Sequence, residues 1–599
     1  MCKGIFSFWG KRLRKGDYCG ILVKKRGGME MKRWITMLLA VSMLLGMLTG
    51  CAFNGLGEQP EGTKDPASGE EGGALGEMLD QIRGEEEGSA LDAMKDQVRD
   101  KESGYARMEY KRPDMEELEA GLQAAIDAAQ AGDVDLTMDK IYEFYDAYDW
   151  FYTHYYLADI RYSGDLTDSY WEEEYSFCMA NSARVDAALE ELYYALAASP
   201  IRKELDGDDY FGPDFLKDYD GENAWDDAFT ALLEQEAALE NRYYELSEIS
   251  LNYAYGSEAY YRACGNEMVE LMVQLIGLRQ EIAAYMGYDS YVDYATDNYY
   301  YRDYTAEQTL AYLEEITEEL VPLYEKLNRS VSFYVRYGRA TEEETFAYVR
   351  DTAENMGGTV WEAFQRLEEG ELYDIAYSEN KYNASFEVYL TSYADPFVFM
   401  NPSQDTGDYL TFAHEFGHFC NDFAAEGCYA GIDVLEVFSQ AMEYLSLIYA
   451  PEGEDLVKLK MWDSLRLFVE QSAFASFEMR MYDLKGDDLN AENLRALYEE
   501  VAKEFGFESI GYDDREFTMI THFYTNPMYV ISYVVSNDLA MQMYQMELEE
   551  SGAGLKCMEE NLDTEASYFL EFVESAGLQS PFEEGRLETV RQTLEEGLK

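Results

Sequence analysis

The stretch "TFAHEFGHFCNDF", residues 411–423, places two of the chain's four histidines one helical turn apart. In an α-helix, residues i and i+4 share a face, so His414 and His418 can direct two imidazoles at one ion. Glu415 follows the first histidine, where its carboxylate can address a water molecule on that ion. The spacing therefore predicts a metal site on a helix, and zinc suits a pair of imidazole ligands.

The residues around the two histidines favour a helix. Residues 409–423 contain no proline and no β-branched run, and Asp408 is the expected cap of the first turn. A second helical stretch, "GIDVLEVFSQAMEYLSLIY", follows at residues 431–449. We expect the two helices to build the site together, because a catalytic zinc needs a third protein ligand and one open position.

Two glutamates of the second stretch are candidates for the third ligand. Glu436 and Glu443 lie seven residues apart and so share a helical face. Buried carboxylates are costly unless positive charge lies beside them. One can bind the metal while the other orients a ligand histidine from behind, or Glu443 can simply be exposed to solvent. The spacing alone leaves these alternatives open.

The rest of the chain predicts a mostly α fold. Segments such as "MEELEAGLQAAIDAAQAG" (115–132) and "LRALYEEVAKEF" (494–505) repeat apolar residues every three or four positions, and there are only 11 prolines. Residues 385–401, "SFEVYLTSY" with "PFVFMN", concentrate β-branched and aromatic residues and predict a small sheet just before the metal-site helix. His154, with no second candidate ligand near it in sequence, is interpreted as a structural or surface residue.

"HEFGH" followed by "DVLEVFSQAMEYL" resembles the thimet oligopeptidase and oligoendopeptidase F family of zinc metallopeptidases. On that resemblance Glu436 matches the third zinc ligand, with Asp433, Ser439 and Glu443 at accompanying positions. Glu443 is kept as the fallback ligand or as a partner of a ligand histidine. One zinc ion per chain is implied.

Three further segments carry the resemblance. "LRQEIAAYMGYDSYVDYA" (278–295) is similar to a family segment, and "DPFVFMN" (395–401) resembles an edge strand that pairs with substrate backbone. "THFYTNPMYVISYVVS" (521–536) resembles the family's histidine and tyrosine stretch near the C-terminus. It implies that Tyr533, or else Tyr529, stabilises an oxyanion and that His522 holds the substrate or the intermediate. The likeness covers 265–599, whereas 105–264 match only in being helical.

The resemblance implies a two-lobed helical metallopeptidase with a deep substrate channel and a small β-sheet near the active-site helix. The expected activity is zinc-dependent endopeptidase cleavage of short unstructured peptides, with Glu415 as general base. Two alternatives remain: a zinc carboxypeptidase of related helical fold, and a peptide-binding lipoprotein without turnover. The intact glutamate of the motif argues against the second, because binding alone does not need a general base.

The composition limits the partners. The formal net charge is −72, from 47 Lys and Arg against 119 Asp and Glu. Such a surface repels nucleic acid and anionic headgroups, so we expect no nucleic-acid partner. The partners expected are short peptide substrates. The sequence carries no signal for an oligomeric state.

The N-terminal sequence predicts an export signal followed by a flexible tether. Residues 31–51 combine Lys32 and Arg33, an apolar run and a terminal Cys51, a pattern that resembles a bacterial lipoprotein signal. We expect an exported lipoprotein on the outer face of the cytoplasmic membrane, or on the periplasmic side, with membrane contact only through lipidated Cys51. Residues 1–30 are interpreted as an over-extended start. An acidic flexible tether (52–104), a helical N-terminal lobe (105–264) and a catalytic zinc peptidase region (265–599) follow.

Overall fold

The structure is a computed structural model, and it describes residues 104–599 except 208–209, 213–214, 221–226, 251–252, 255, 301, 428–429 and 565. The expectations for 1–30, for the signal at 31–51 and for nearly all of the tether at 52–104 lie outside the described residues. The fold is 71% helical with a small three-stranded sheet, which confirms the mostly α prediction.

Residues 105–264 form a set of packed helices whose starts the sequence encodes. Aspartates precede the first three helices, and the side chains of Asp114, Asp133 and Asp168 each accept a backbone N–H from the first turn. The helices are α1 (Met115–Ala131), α2 (Val134–Gly164), α3 (Ser169–Ala197), α4 (Arg202–Leu205), α5 (Asp227–Ser250) and α6 (Glu258–Tyr260), followed by a π-helical turn (Tyr261–Gly265).

His154 lies inside α2 and has a structural role. Its side chain is fully buried, and Nδ1 lies 2.8 Å from the Trp150 carbonyl oxygen. Burial lowers the pKa of His154 to about 4, so the ring is neutral at physiological pH. The interpretation of His154 as a structural residue is therefore supported by its surroundings.

The rest of the chain supplies the sheet and most of the helices. Capping boxes start two of these helices, with Thr305 paired to Gln308 and Thr341 paired to Glu344. The helices are α7 (Asn266–Tyr285), α8 (Tyr291–Asn298), α9 (Ala306–Glu319), α10 (Val321–Asn328), α11 (Glu342–Met356), α12 (Gly358–Glu369), α13 (Gly407–Ala425), α14 (Ile432–Tyr449), α15 (Gly453–Met481), α16 (Ala491–Glu504), α17 (Thr521–Thr525), α18 (Ile531–Glu549), α19 (Ala553–Glu559), α20 (Phe569–Ser575) and α21 (Arg586–Gly597). Short 3-10 turns lie at Tyr105–Arg107, Phe215–Tyr219, Thr391–Tyr393, Gly486–Asp488, Phe507–Ser509 and Glu516–Met519.

The sheet contains β1 (Tyr373–Asp374), β2 (Ser385–Leu390) and β3 (Asp395–Met400) in the order β1–β3–β2. β2 and β3 confirm the strands predicted at 385–401, and they pair antiparallel with Phe386 opposite Phe399. The expectation that 395–401 form the edge strand is wrong. β3 lies between β1 and β2, so the edge that adjoins the metal-site helix is β2.

Helices α13 and α14 approach each other closely at Gly417. A Cβ atom at this position would lie 2.6 Å from both the Phe438 carbonyl oxygen and the Ser439 Cα atom. Real Cβ atoms do not come that close to backbone, so only glycine permits this approach. The contact sets the relative register of the two helices, and the helix that carries Glu436 lies directly over the turn between the two histidines.

No helix among the described residues combines the length and the apolar character needed to cross a membrane.

We predict that Gly417→Ala destabilises the protein. The added methyl group overlaps backbone atoms of α14, and such overpacking typically costs about 1–3 kcal/mol. The midpoint of thermal unfolding, followed by circular dichroism, should fall. Gly277→Ala is the matched control, because its Cβ would meet only Leu489 Cδ2 at 3.6 Å, an ordinary contact inside helix α7. Equal midpoints for the two variants would show that the α13–α14 contact tolerates a side chain.

Candidate metal centre

The two histidines of α13 face the same side of the helix, as their spacing predicts. Their ring centroids lie 5.1 Å apart. His418 is buried, whereas 18% of the His414 side chain is exposed. Burial and the neighbouring His414 charge lower the pKa of His418 well below its usual value, so its imidazole is neutral and has a lone pair to offer.

The start of α13 differs from the expected cap. Asp408 lies inside the helix, which begins at Gly407 after Thr406. Its carboxylate accepts backbone N–H groups of the preceding loop, from Ser403 at 2.8 Å and from Gln404 at 2.7 Å. Asp408 therefore fixes the loop that leads from β3 into the helix instead of capping the helix itself. The capping prediction was wrong because a loop that folds back over the first turn competes for the same carboxylate.

Glu436 of α14 completes a cluster with the two histidines. Its Oε2 atom lies 3.4 Å from His414 Nε2 and 3.8 Å from His418 Nε2. The three ligand atoms all lie within 4.8 Å of one another. The structure therefore brings together the residues predicted as metal ligands, and Glu436, not Glu443, is the carboxylate that lies close to both histidines.

The donor set fits a zinc ion. His418 Nε2 is buried within the cluster and makes no hydrogen bond to any described residue, so this ring nitrogen is available as a ligand atom. Burial alone would lower the pKa of His414, but its hydrogen bond to Glu443 and the charges of Glu436 and Glu415 raise it to about 9. The carboxylates thus stabilise positive charge at this place. Two imidazoles and a carboxylate are also the ligands of many catalytic zinc sites.

Glu443 lies behind His414 and orients it. Its Oε1 atom accepts a hydrogen bond from His414 Nδ1 at 2.9 Å, which leaves Nε2 directed at the cluster. Its Oε2 atom accepts from Lys460 Nζ at 2.8 Å, and Lys460 is itself buried. Burial raises the pKa of Glu443, but Lys460 and His414 outweigh that effect and lower it overall. The alternative of a solvent-exposed Glu443 is therefore wrong.

Glu415 is buried between the cluster and the sheet. Its Oε2 atom makes no hydrogen bond to a described residue, while Ser385 of the edge strand β2 donates to the carboxylate. Burial raises the pKa of Glu415 to about 7, although the charge of His414 opposes this shift. A carboxylate with a pKa near neutral can both accept and return a proton.

His522, Tyr529 and Tyr533 gather beside the third ligand. The ring centroid of His522 lies 5.2 Å from that of Tyr529 and 5.9 Å from that of Tyr533. The Tyr529 hydroxyl donates to Glu436 Oε1 at 2.9 Å. Burial and the Glu436 charge raise the pKa of Tyr529 well above its usual value, so the phenol keeps its proton. The structure thus unites every predicted catalytic and metal residue in one site.

Sequence reasoning missed two members of this site. Lys460 lies on α15 and Ser385 on β2, and neither belongs to a motif. A lysine in an amphipathic helix normally indicates an exposed position. Only the position of Glu443 beneath it makes Lys460 a buried partner, so no signal in the sequence could have identified it.

Comparisons with known proteins assign the chain to a family. Residues 105–221 match the peptidase M3 N-terminal domain, and residues 345–590 match peptidase family M3. Together these matches cover more than half of the chain, and the first extends the likeness into the N-terminal helices. The chain belongs to peptidase family M3 and is a metalloendopeptidase. A comparison with curated protein sequences finds no match.

Solved structures share the fold. PZ peptidase A with an inhibitor superposes with a TM-score of 0.69 at 19% identity, over 82% of this chain and 98% of that chain. An oligoendopeptidase F from Bacillus anthracis strain Ames gives 0.67 at 20% identity, over 83% of this chain and 98% of that one. A further structure described as an oligoendopeptidase F gives 0.70 at 20% identity, with coverages of 83% and 98%.

We predict that Glu443→Gln weakens zinc binding without abolishing it. The amide keeps an acceptor oxygen for His414 Nδ1 but removes the charge between Lys460 and the histidine. Loss of such an outer partner typically costs about 10- to 100-fold in metal affinity. Competition with a chromophoric chelator measures the affinity.

The control is Glu470→Gln, which removes a carboxylate on α15 that pairs with Arg466 at 3.0 Å, outside this cluster. Its zinc affinity should match that of the wild type. Complete loss of binding in Glu443→Gln would instead make Glu443 a direct ligand, and an unchanged affinity would remove it from the site altogether.

Proposed function

We propose that this metalloendopeptidase is zinc-dependent and hydrolyses short unstructured peptides, with Glu415 as the general base. One observation carries the proposal: the ligand atoms of His414, His418 and Glu436 converge within 4.8 Å on a helix pair that also presents Glu415. These three residues would hold one zinc ion per chain. When bound, zinc polarises a carbonyl oxygen and lowers the pKa of a water molecule.

Glu415 transfers a proton from the attacking water to the leaving amine. Its position next to His414 lets the carboxylate reach a water molecule that attacks a peptide carbonyl. The carboxylate accepts the proton from that water and then donates it to the leaving amine. The hydrogen bond from Ser385 ties this carboxylate to the edge strand β2. An extended peptide that adds to β2 would therefore lie beside the base.

Tyr529 and Tyr533 have different roles in this proposal. Tyr529 donates its hydroxyl to Glu436 and so orients the third ligand. Tyr533, whose ring centroid lies 5.2 Å from that of Tyr529, is then the donor for the developing oxyanion. His522, whose ring centroid lies 5.2 Å from that of Tyr529 and 5.9 Å from that of Tyr533, binds the substrate or the intermediate. This assignment keeps Tyr533 as the first choice and gives Tyr529 a different role.

The class of substrate follows from fold and charge. A channel between two helical lobes would admit extended peptides and exclude folded proteins. The net charge of −72 favours peptides that are not strongly acidic. Nucleic acid is excluded as a partner on the same ground.

We predict that Glu415→Gln abolishes cleavage while zinc stays bound. Purified residues 52–599 would be given internally quenched peptides with both termini blocked, and the products would be read by mass spectrometry. The wild type should cleave internal bonds. Tyr533→Phe in the same assay should lower kcat about 10²- to 10³-fold, the usual effect of losing one oxyanion donor.

The matched control is Glu190→Gln. Glu190 is a buried carboxyl of α3 in the N-terminal helices, and burial raises its pKa to about 8, so its neutral form is already populated. This variant should retain activity. Release of single C-terminal residues from unblocked peptides only would favour the carboxypeptidase. Peptide retention without any cleavage by the wild type would favour a binding lipoprotein.

We also propose that the protein is an exported lipoprotein anchored through Cys51, on the outer face of the cytoplasmic membrane or on the periplasmic side. The apolar run that ends in Leu48-Thr49-Gly50-Cys51 supports this. The wild type should fractionate with membranes, with a mature N-terminal peptide that begins at lipidated Cys51 by mass spectrometry. Cys51→Ser should leave the membrane fraction or remain unprocessed. A mature chain that begins elsewhere overturns the proposal.

A further inference from the structure

The loop between α17 and α18, which carries Tyr529, contains one residue in an unfavourable backbone conformation. Met528, the residue before Tyr529, has φ = 70°, a region that non-glycine residues rarely adopt. Such a conformation persists only when the surroundings impose it. Residues outside the loop must therefore hold it in place.

Buried side chains bind carbonyl oxygens of α17 and of the loop that follows it. Arg279 of α7 donates to the carbonyl oxygens of Phe523, at 2.6 Å, and of Tyr524. Arg302 donates to the Met528 carbonyl oxygen at 2.8 Å. Both guanidinium groups are buried, so these hydrogen bonds are shielded from competing water.

Glu478 of α15 binds the other side of the strained residue. Its side chain is 0% exposed, and its Oε1 atom accepts the Met528 N–H at 2.6 Å. A hydrogen bond from a backbone N–H to a buried carboxylate is stronger than one between neutral groups. Met528 is therefore held through its N–H by Glu478 and through its carbonyl by Arg302.

The same anchors connect the loop with the metal centre. Arg302 also forms an ion pair with Asp433 at 3.1 Å, and Asp433 lies one turn before Glu436 on α14. The Tyr529 hydroxyl reaches Glu436 from the loop side. A shift of the Met528 peptide would move the next residue, and with it the phenol that orients the third ligand.

We propose that Glu478 is a positioning residue for the metal centre: by holding the Met528 N–H, it places the Tyr529 hydroxyl against Glu436. Glu478 touches neither the ligands nor the substrate in this role, and it acts through Tyr529. The inference rests on the metal site proposed above.

The test compares Glu478→Met, which keeps much of the volume but removes the acceptor, with Glu478→Gln, which keeps an acceptor oxygen. Glu478→Met should lower kcat about 10²-fold, the effect of a misplacement of about 1 Å. Zinc affinity should fall about tenfold, because the partner of Glu436 is displaced. KM should change little. Glu478→Gln should recover most of both losses.

The matched control is Glu547→Met. Glu547 is a buried glutamate of α18 that accepts backbone N–H groups of Gly552, at 2.6 Å, and of Gly554 and Leu555, in a turn away from the site. It should lower the thermal midpoint but leave kcat and zinc affinity unchanged. If Glu478→Met loses no more kcat and zinc affinity than Glu547→Met, Glu478 is only a core residue and the proposal fails.

A double-mutant cycle with Tyr529→Phe decides the route of the effect. In the Tyr529→Phe background, Glu478→Met should have no further effect on zinc affinity, because the hydroxyl that Glu478 positions is absent. If Glu478→Met does not fold, Glu478→Asp, which draws the acceptor oxygen back from Met528, takes its place in the cycle. Additive losses would overturn the proposal. Zinc affinity is measured without substrate, so a wild type that binds zinc but cleaves no peptide would refute the proposed activity and leave this test intact.

Discussion

Helix α14 buries three carboxylates on one face, and charge without a partner in such a place is costly. Each of the three carboxylates has different partners that stabilise its charge. Asp433 pairs with Arg302, Glu443 pairs with Lys460 and His414, and Glu436 faces the two histidines. The first two carboxylates are neutralised by the protein itself. Glu436 is left facing two imidazoles, and these three donors are the ones that a divalent cation would join.

Basic residues are scarce in this chain, and some of them are nevertheless buried beside the carboxylates of α14. The chain has 47 Lys and Arg against 119 Asp and Glu, yet several of the bases are buried: Arg279, Arg302, Lys381, Lys460 and Arg586. A surface selected only for solubility would keep such residues outside. Three of them, Arg279, Arg302 and Lys460, lie near the metal centre. There they pair with buried acids or donate to carbonyl oxygens of α17 and of the loop between α17 and α18. The buried bases therefore serve as partners of buried acids and of backbone carbonyl oxygens, not as part of the solvated surface.

The loop between α17 and α18, which carries Tyr529, shows how a strained segment can be kept in place. Two buried charged side chains from different parts of the chain, Glu478 and Arg302, hold Met528 in its positive-φ conformation. Catalytic precision then depends on groups far from the reacting atoms, because a phenol on a loop is only as well placed as the backbone that carries it. The residues of the site are accordingly spread over helices α13, α14, α15, α17 and α18, strand β2 and two loops.

Local patterns in the sequence were enough to predict much of this protein. The i, i+4 histidines, the helix at 431–449, the strands at 385–401 and the helical class all depend on periodicity or on neighbours a few residues away, and each lies where it was predicted. The failures share one cause. The role of Asp408 in the preceding loop, the edge position of β2, and the parts played by Lys460 and Glu478 depend on elements distant in sequence. Close packing such as that at Gly417 sets the register of α13 against α14, and so decides which side chains of α14 meet the histidines. The sequence by itself determined the helices and the chemistry available, while the tertiary structure decided which side chains meet, because burial gives each charge only the partners that packing brings to it.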